Sequence, residues 1–164
     1  MDEWKSKTNA QLYYASKLLS AYKGSRGGAQ VGISAALLNG AALSIKEAWL
    51  CWLNELGGIL NCQNETFTCL QDLLDHPVAN LPDVQGLKYL KEEPNSWLGA
   101  FLFLIGDIGR SIQIDKVHAY EGNDNPLKMH SIDDGVKTEY DKLFGLIDQF
   151  KSYIQGVRAQ HVEW

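Results

Sequence analysis

A chain of 164 residues with 45% hydrophobic and 21% charged side chains is long enough to bury a core without disulfides or metals, and is expected to form one domain over 1–164. Its net charge of −5 and its three arginines (Arg26, Arg110 and Arg158) leave no basic face for phosphates, which excludes nucleic acid as a main partner. The longest apolar run, 97–106, is half the roughly 20 residues of a membrane span, and the polar start Met1-Asp2-Glu3-Trp4-Lys5 does not read as a secretory signal, so a cytoplasmic protein with no membrane contact is expected.

Thr8-Asn9-Ala10-Gln11 has the form of a capping box, in which hydroxyl and amide satisfy each other's orphan backbone donors, and predicts a first helix over 8–23. Leu12, Ala15, Leu19 and Tyr22 form its apolar stripe, and Gly24 with Gly27-Gly28 stops it. From 29 to 60 no proline intervenes, and Ile33, Leu37, Ala41, Ile45, Trp49, Trp52, Leu56 and Ile59 place one apolar face along a long helix. Its first half is rich in small residues. Gly40 costs about 1 kcal/mol relative to Ala inside a helix, so a neighbouring helix is expected to cross closely there.

Gly57-Gly58 and Asn61 loosen the end of that helix. Asn64 is a candidate cap for a short helix through Phe67, Leu70 and Leu73-Leu74, and Pro82, Gly86 and Pro94 leave room for one helical piece around 84–90. Residues 97–105 are apolar on every side, as expected of a helix surrounded by others, with a buried strand as the competing reading. Turn formers dominate 115–130, which predicts a surface loop. Ser131-Ile132-Asp133-Asp134 opens a last helix in which Val136, Tyr140, Leu143, Ile147, Phe150, Ile154 and Val157 alternate steps of four and three, the spacing of helices packed at a shallow angle. The expected fold is all-α, an antiparallel up-and-down helical bundle of about four main helices plus short connecting helices.

Signals for chemistry are sparse. Cys51, Cys62 and Cys69 are odd in number without C-x-x-C spacing and read as reduced thiols packed as small hydrophobes. The four histidines form no H-x-x-x-H, H-E-x-x-H or paired Glu-x-x-His, so no metal and no cofactor are expected. No nucleophile elbow or phosphate loop is present, and Gly24-Ser25-Arg26-Gly27-Gly28 reads as a helix stop, so no catalytic residue is named.

Five tryptophans and seven tyrosines are the informative excess. They support a non-enzymatic protein acting through protein–protein interaction, with Trp4, Tyr14 and Trp164 as its surface. Tryptophans at both chain ends suit termini packed together or against a second subunit, so the expectation extends to a homodimer. The alternative is a small-ligand-binding bundle with a pocket lined by Trp49, Trp52, Trp97 and Phe101, in which Asp107 or Arg110 orients the ligand. Asp107 and Arg110 also suit the place where their helix emerges into solvent.

The opening Thr8-Asn9-Ala10-Gln11-Leu12-Tyr13-Tyr14-Ala15-Ser16-Lys17-Leu18-Leu19, followed by an Ala-rich helix and Tyr/Trp-containing segments, resembles a family of uncharacterised short proteobacterial proteins, a domain of unknown function. The resemblance spans most of the chain and implies a small cytoplasmic helical protein with no catalytic residues to carry over. The Tyr/Ala/Leu first helix also bears a looser likeness to the helical-bundle nucleases and nucleotide-binding proteins called HEPN, whose signature is an Arg with a His four to six residues on. Here seven residues separate Arg110 from His118 and two separate Arg158 from His161. The likeness therefore implies a bundle, with a degenerate nuclease as a third reading.

Overall fold

The stripes at three- and four-residue spacing become the buried faces of long helices. The structure is a computed structural model that describes residues 2–24, 31–62, 65–111 and 132–161. There are four long helices, α1 (Asp2–Gly24), α2 (Val31–Ile59), α5 (Trp97–Ser111) and α6 (Ile132–Gln160), with α3 (Leu70–Leu74), a 3-10 turn (Pro77–Asn80) and α4 (Pro82–Glu92) between α2 and α5. Among the described residues there is no strand. The fold is all-α, and 97–105 is helix. The 115–130 loop expectation and Asn64 lie outside the described residues.

The directions of the helices follow from their contacts. Leu18 of α1 lies against Gly40 of α2, while Arg158 of α6 bonds both Asn9 of α1 and Glu55 of α2, so α1 and α2 run in opposite senses. Trp49 meets Phe150 and Trp52 meets Tyr153, which sets α6 in the direction of α2. Trp97 meets Tyr153 and Phe101 meets Phe150, so α5 runs against α6. One core takes Leu12, Ala15, Leu19 and Tyr22 from α1, the stripe from Ala41 to Leu56 of α2, and Leu143, Ile147, Phe150, Ile154 and Val157 of α6. Burying each large member contributes roughly 1.5–3 kcal/mol.

Three local expectations are corrected. Helix α1 starts at Asp2, not at the predicted cap: Thr8 is buried inside the helix, and its hydroxyl donates back to the Trp4 carbonyl at 2.9 Å. A threonine that bonds the carbonyl four residues earlier no longer needs a helix end. Ile33 is 49% exposed, so the face of α2 enters the core only beyond it. Helix α5 is not enclosed on all sides, since Phe103 is 73% exposed.

The segment after α2 is held by one buried amide. Asn54 Nδ2 donates to the Leu50 and Phe67 carbonyls at 2.8 and 2.9 Å, and the Phe67 N–H donates to Asn54 Oδ1 at 2.8 Å. That clamp seats the Phe67 ring over Gly57, where a Cβ would collide with it. The predicted short helix therefore begins later, at Leu70, with Phe67 in the irregular stretch before it.

Candidate functional site

The four aromatic residues expected to line a pocket come together with two from α6. Ring centroids lie 5.4 Å apart for Trp49–Phe101, 5.8 Å for Trp97–Phe101, 5.6 Å for Trp49–Phe150 and 6.1 Å for Trp52–Tyr153. The Trp49–Phe150 pair is tilted and the other three are edge-to-face, the favoured packing of aromatic pairs, and here the rings occupy one another's edges and faces. The Trp52 indole N–H is buried without an acceptor among the described residues. Burial, with Asp83 nearby, pushes the Tyr153 hydroxyl far above its ordinary range, so it stays neutral. The side chains of Asp107 and Arg110 lie outside the described residues, and so does Trp164. Of the expected surface residues, Trp4 is half-buried on α1 under the Lys7 ammonium, 4.5 Å from its ring, and Tyr14 is exposed.

A feature invisible to sequence spacing lies between α1 and α6. There a groove of about 350 Å3 has Leu12 and Ile154 as its floor and Asn9, Ser16, Lys151 and Arg158 as polar walls. Lys151 Nζ donates to Ser16 Oγ at 2.8 Å, and the Ser16 hydroxyl spends its own proton on the Leu12 carbonyl, also at 2.8 Å. No carboxylate pairs with Lys151 among the described residues.

Arg158 closes the other end of the groove. Its Nε and NH2 groups donate to the two oxygens of Glu55 at 2.7 and 2.8 Å, and NH1 donates to Asn9 Oδ1 at 2.9 Å. Glu55 is 2% exposed, so this bidentate pair is a buried tie between α2 and α6 and cancels its own charge. Lys151 is left as the groove's unbalanced charge. A second cleft, between α3 and α4, mixes Asp75 and Glu92 with Lys88 and Lys91 and shows no such imbalance.

Past α2, three reactive side chains line up. Cys62 Sγ lies 3.8 Å from His76 Nδ1, and His76 Nε2 lies 2.8 Å from a Glu65 carboxylate oxygen, the outline of a thiol–imidazole–carboxylate relay. Two observations make it a structural hub instead. His76 Nδ1 already accepts the Val78 N–H at 3.3 Å as the cap of the 3-10 turn, and burial, then Glu65, pushes the Cys62 thiol up, away from the reactive thiolate. The packing of Cys51 and Cys62 was legible in the sequence, whereas Cys69, expected to pack with them, is exposed. The partnership with His76 was not, because 62, 65 and 76 share no helical period. Among the described residues, no three His, Cys, Asp or Glu side chains converge as a metal site, and no helix is long and apolar enough to cross a membrane.

Arg158 and His161, the Arg–His pair of α6 and the turn that follows it, point to different partners: Arg158 to Glu55, and His161 to Asp83 at 3.1 Å. The side chain of Arg110 and the whole of His118 lie outside what is described. Neither a curated protein nor a solved structure matches the chain. A family model does match, over residues 1–164, and the chain belongs to the family of unknown function DUF6586.

Proposed function

We propose that the protein is a cytoplasmic binding protein that holds a protein partner, a second copy of itself included, on the outer side of α1. The observation that carries this reading is the Tyr13–Tyr14 pair. Both stand in the middle of a 23-residue helix, 57% and 53% exposed, with their rings 6.1 Å apart and edge to face. The opposite stripe of the same helix is fully committed to the core, so these rings contribute nothing to its burial. Rigid aromatic side chains at exposed positions are what association surfaces are enriched in, because they offer large contact area for few rotatable bonds. Trp4 shares the face of buried Thr8 and Ala15 and so stands apart from this pair.

The test is a photo-cross-linking residue at Tyr14 in the producing cells, combined with sedimentation equilibrium of the purified protein. A discrete cross-linked product is expected, together with about tenfold weaker association in the Tyr13→Ala/Tyr14→Ala variant. The variant should keep the melting temperature of the unmutated protein, since both rings are exposed. A single-chain mass at roughly 100 µM together with no cross-linked product would defeat the reading.

A further inference from the structure

We propose that the groove between α1 and α6 is a binding site for a small organic anion, a carboxylate carrying an apolar or aromatic arm. This inference does not depend on the protein-partner reading.

The charge balance of the groove points to an anion. Lys151 sits half-buried in a protein of net charge −5, yet its ammonium meets a neutral hydroxyl, which accepts from it while donating its own proton to the Leu12 carbonyl. One of the three ammonium N–H groups is thereby spent on Ser16, which orients the amine and leaves the other two as donors. The neighbouring guanidinium cannot serve as the main anchor, because its charge is already matched by buried Glu55. A carboxylate at Lys151 would supply the missing counter-charge in a partly desolvated place, where charge-assisted hydrogen bonds are about twice as strong as neutral ones.

The shape and chemistry away from Lys151 describe the rest of the ligand. Lys151 and Arg158 are seven residues apart on α6, about 10 Å along the axis. The floor between them is Leu12 and Ile154, which suits an apolar arm. Tyr13 stands at the rim, with the Lys17 ammonium 5.2 Å from its ring, and adds aromatic surface to the lining. At the far end, Asn9 Oδ1 is taken by Arg158, so the Asn9 amide N–H groups are the donors that remain there. A volume of about 350 Å3 matches a metabolite-sized molecule better than a folded partner's side.

The experiment uses the full chain, 15N-labelled, titrated with 3-phenylpropionate, with the neutral 3-phenylpropionamide and with a hepta-glutamate peptide, following backbone and side-chain amide shifts. Saturable shifts clustered at Asn9, Tyr13, Lys151 and Gln155 are expected with 3-phenylpropionate. Binding of the amide should be about tenfold weaker, and Lys151→Met, which keeps the alkyl stem, should weaken the carboxylate about tenfold while leaving the melting curve in place. Equal affinity for acid and amide, or no loss in Lys151→Met, overturns the proposal. So does failure to saturate below roughly 10 mM. Saturation by hepta-glutamate alone would also overturn it and assign the groove to an acidic polypeptide, a result that leaves the reading of α1 as a partner surface standing.

Discussion

At the scale of single residues, the polar side chains after α2 are set by donors and burial that can be probed one at a time. Asp72 accepts from the Thr68 hydroxyl and N–H at 2.7 and 2.8 Å and from the Cys69 N–H at 3.1 Å, and these bonds, Thr68's first, hold its carboxyl at about 2. A carboxyl lowered by folding adds stability that is complete above its unfolded value, near 4, and is lost as pH falls through the folded one. Asp72→Asn should therefore lower the urea midpoint at about pH 5 and make progressively less difference as pH approaches 2. A deficit that stays constant over that range would mean the donors act on the side chain irrespective of its charge. The thiols divide in the same way. Cys51 and Cys62 are buried and pushed up by burial, whereas Cys69 is exposed, so a disulfide reagent should label one thiol quickly in the native protein and three after unfolding. Cys69→Ser should remove the fast phase. If the fast phase survives that change and disappears only when Cys62→Ser is added, Cys62 is reactive and the reading of the His76 contact as purely structural fails.

At the scale of elements, two glycines of α2 with the same helical cost sit against different neighbours. A methyl at Gly40 would lie 3.3 Å from Leu18 Cδ1, the free end of a flexible side chain. The roughly 1 kcal/mol gain in helix propensity should offset that crowding, leaving Gly40→Ala neutral to slightly stabilising. At Gly57 the obstacle is the Phe67 ring, whose backbone is pinned on both sides by Asn54 and cannot retreat. Gly57→Ala should cost about 2 kcal/mol in urea denaturation. Equal effects at the two positions would show that the Asn54 clamp yields. The close approach at Gly40 was legible from composition, because a glycine kept inside a long helix implies a crossing partner. Phe67 over Gly57 was not, since it depends on an irregular turn that reverses the chain.

At the scale of the whole molecule, the helices are held in register by contacts that cross the entire length of the chain. Arg158 joins Asn9, 149 positions away, to Glu55, 103 positions away. Arg158→Met leaves the Glu55 carboxylate buried and unpaired, and should cost about 3–5 kcal/mol. Adding Glu55→Met should recover most of that loss, because an apolar pair in place of a buried ion pair is close to neutral. A double variant no more stable than the single one would locate the cost in lost packing.

The sequence by itself determined the all-α class and most of the buried stripe of each long helix, down to Leu143, Ile147, Phe150, Ile154 and Val157 in α6, because helix periodicity is a local property that repeats every few residues. Only the tertiary structure decided which outward residues meet. Lys151 beside Ser16, Arg158 between Asn9 and Glu55, Cys62 against His76, and Phe103 left in solvent all depend on the rotation of one helix against another, for which no spacing along a single chain carries a signal.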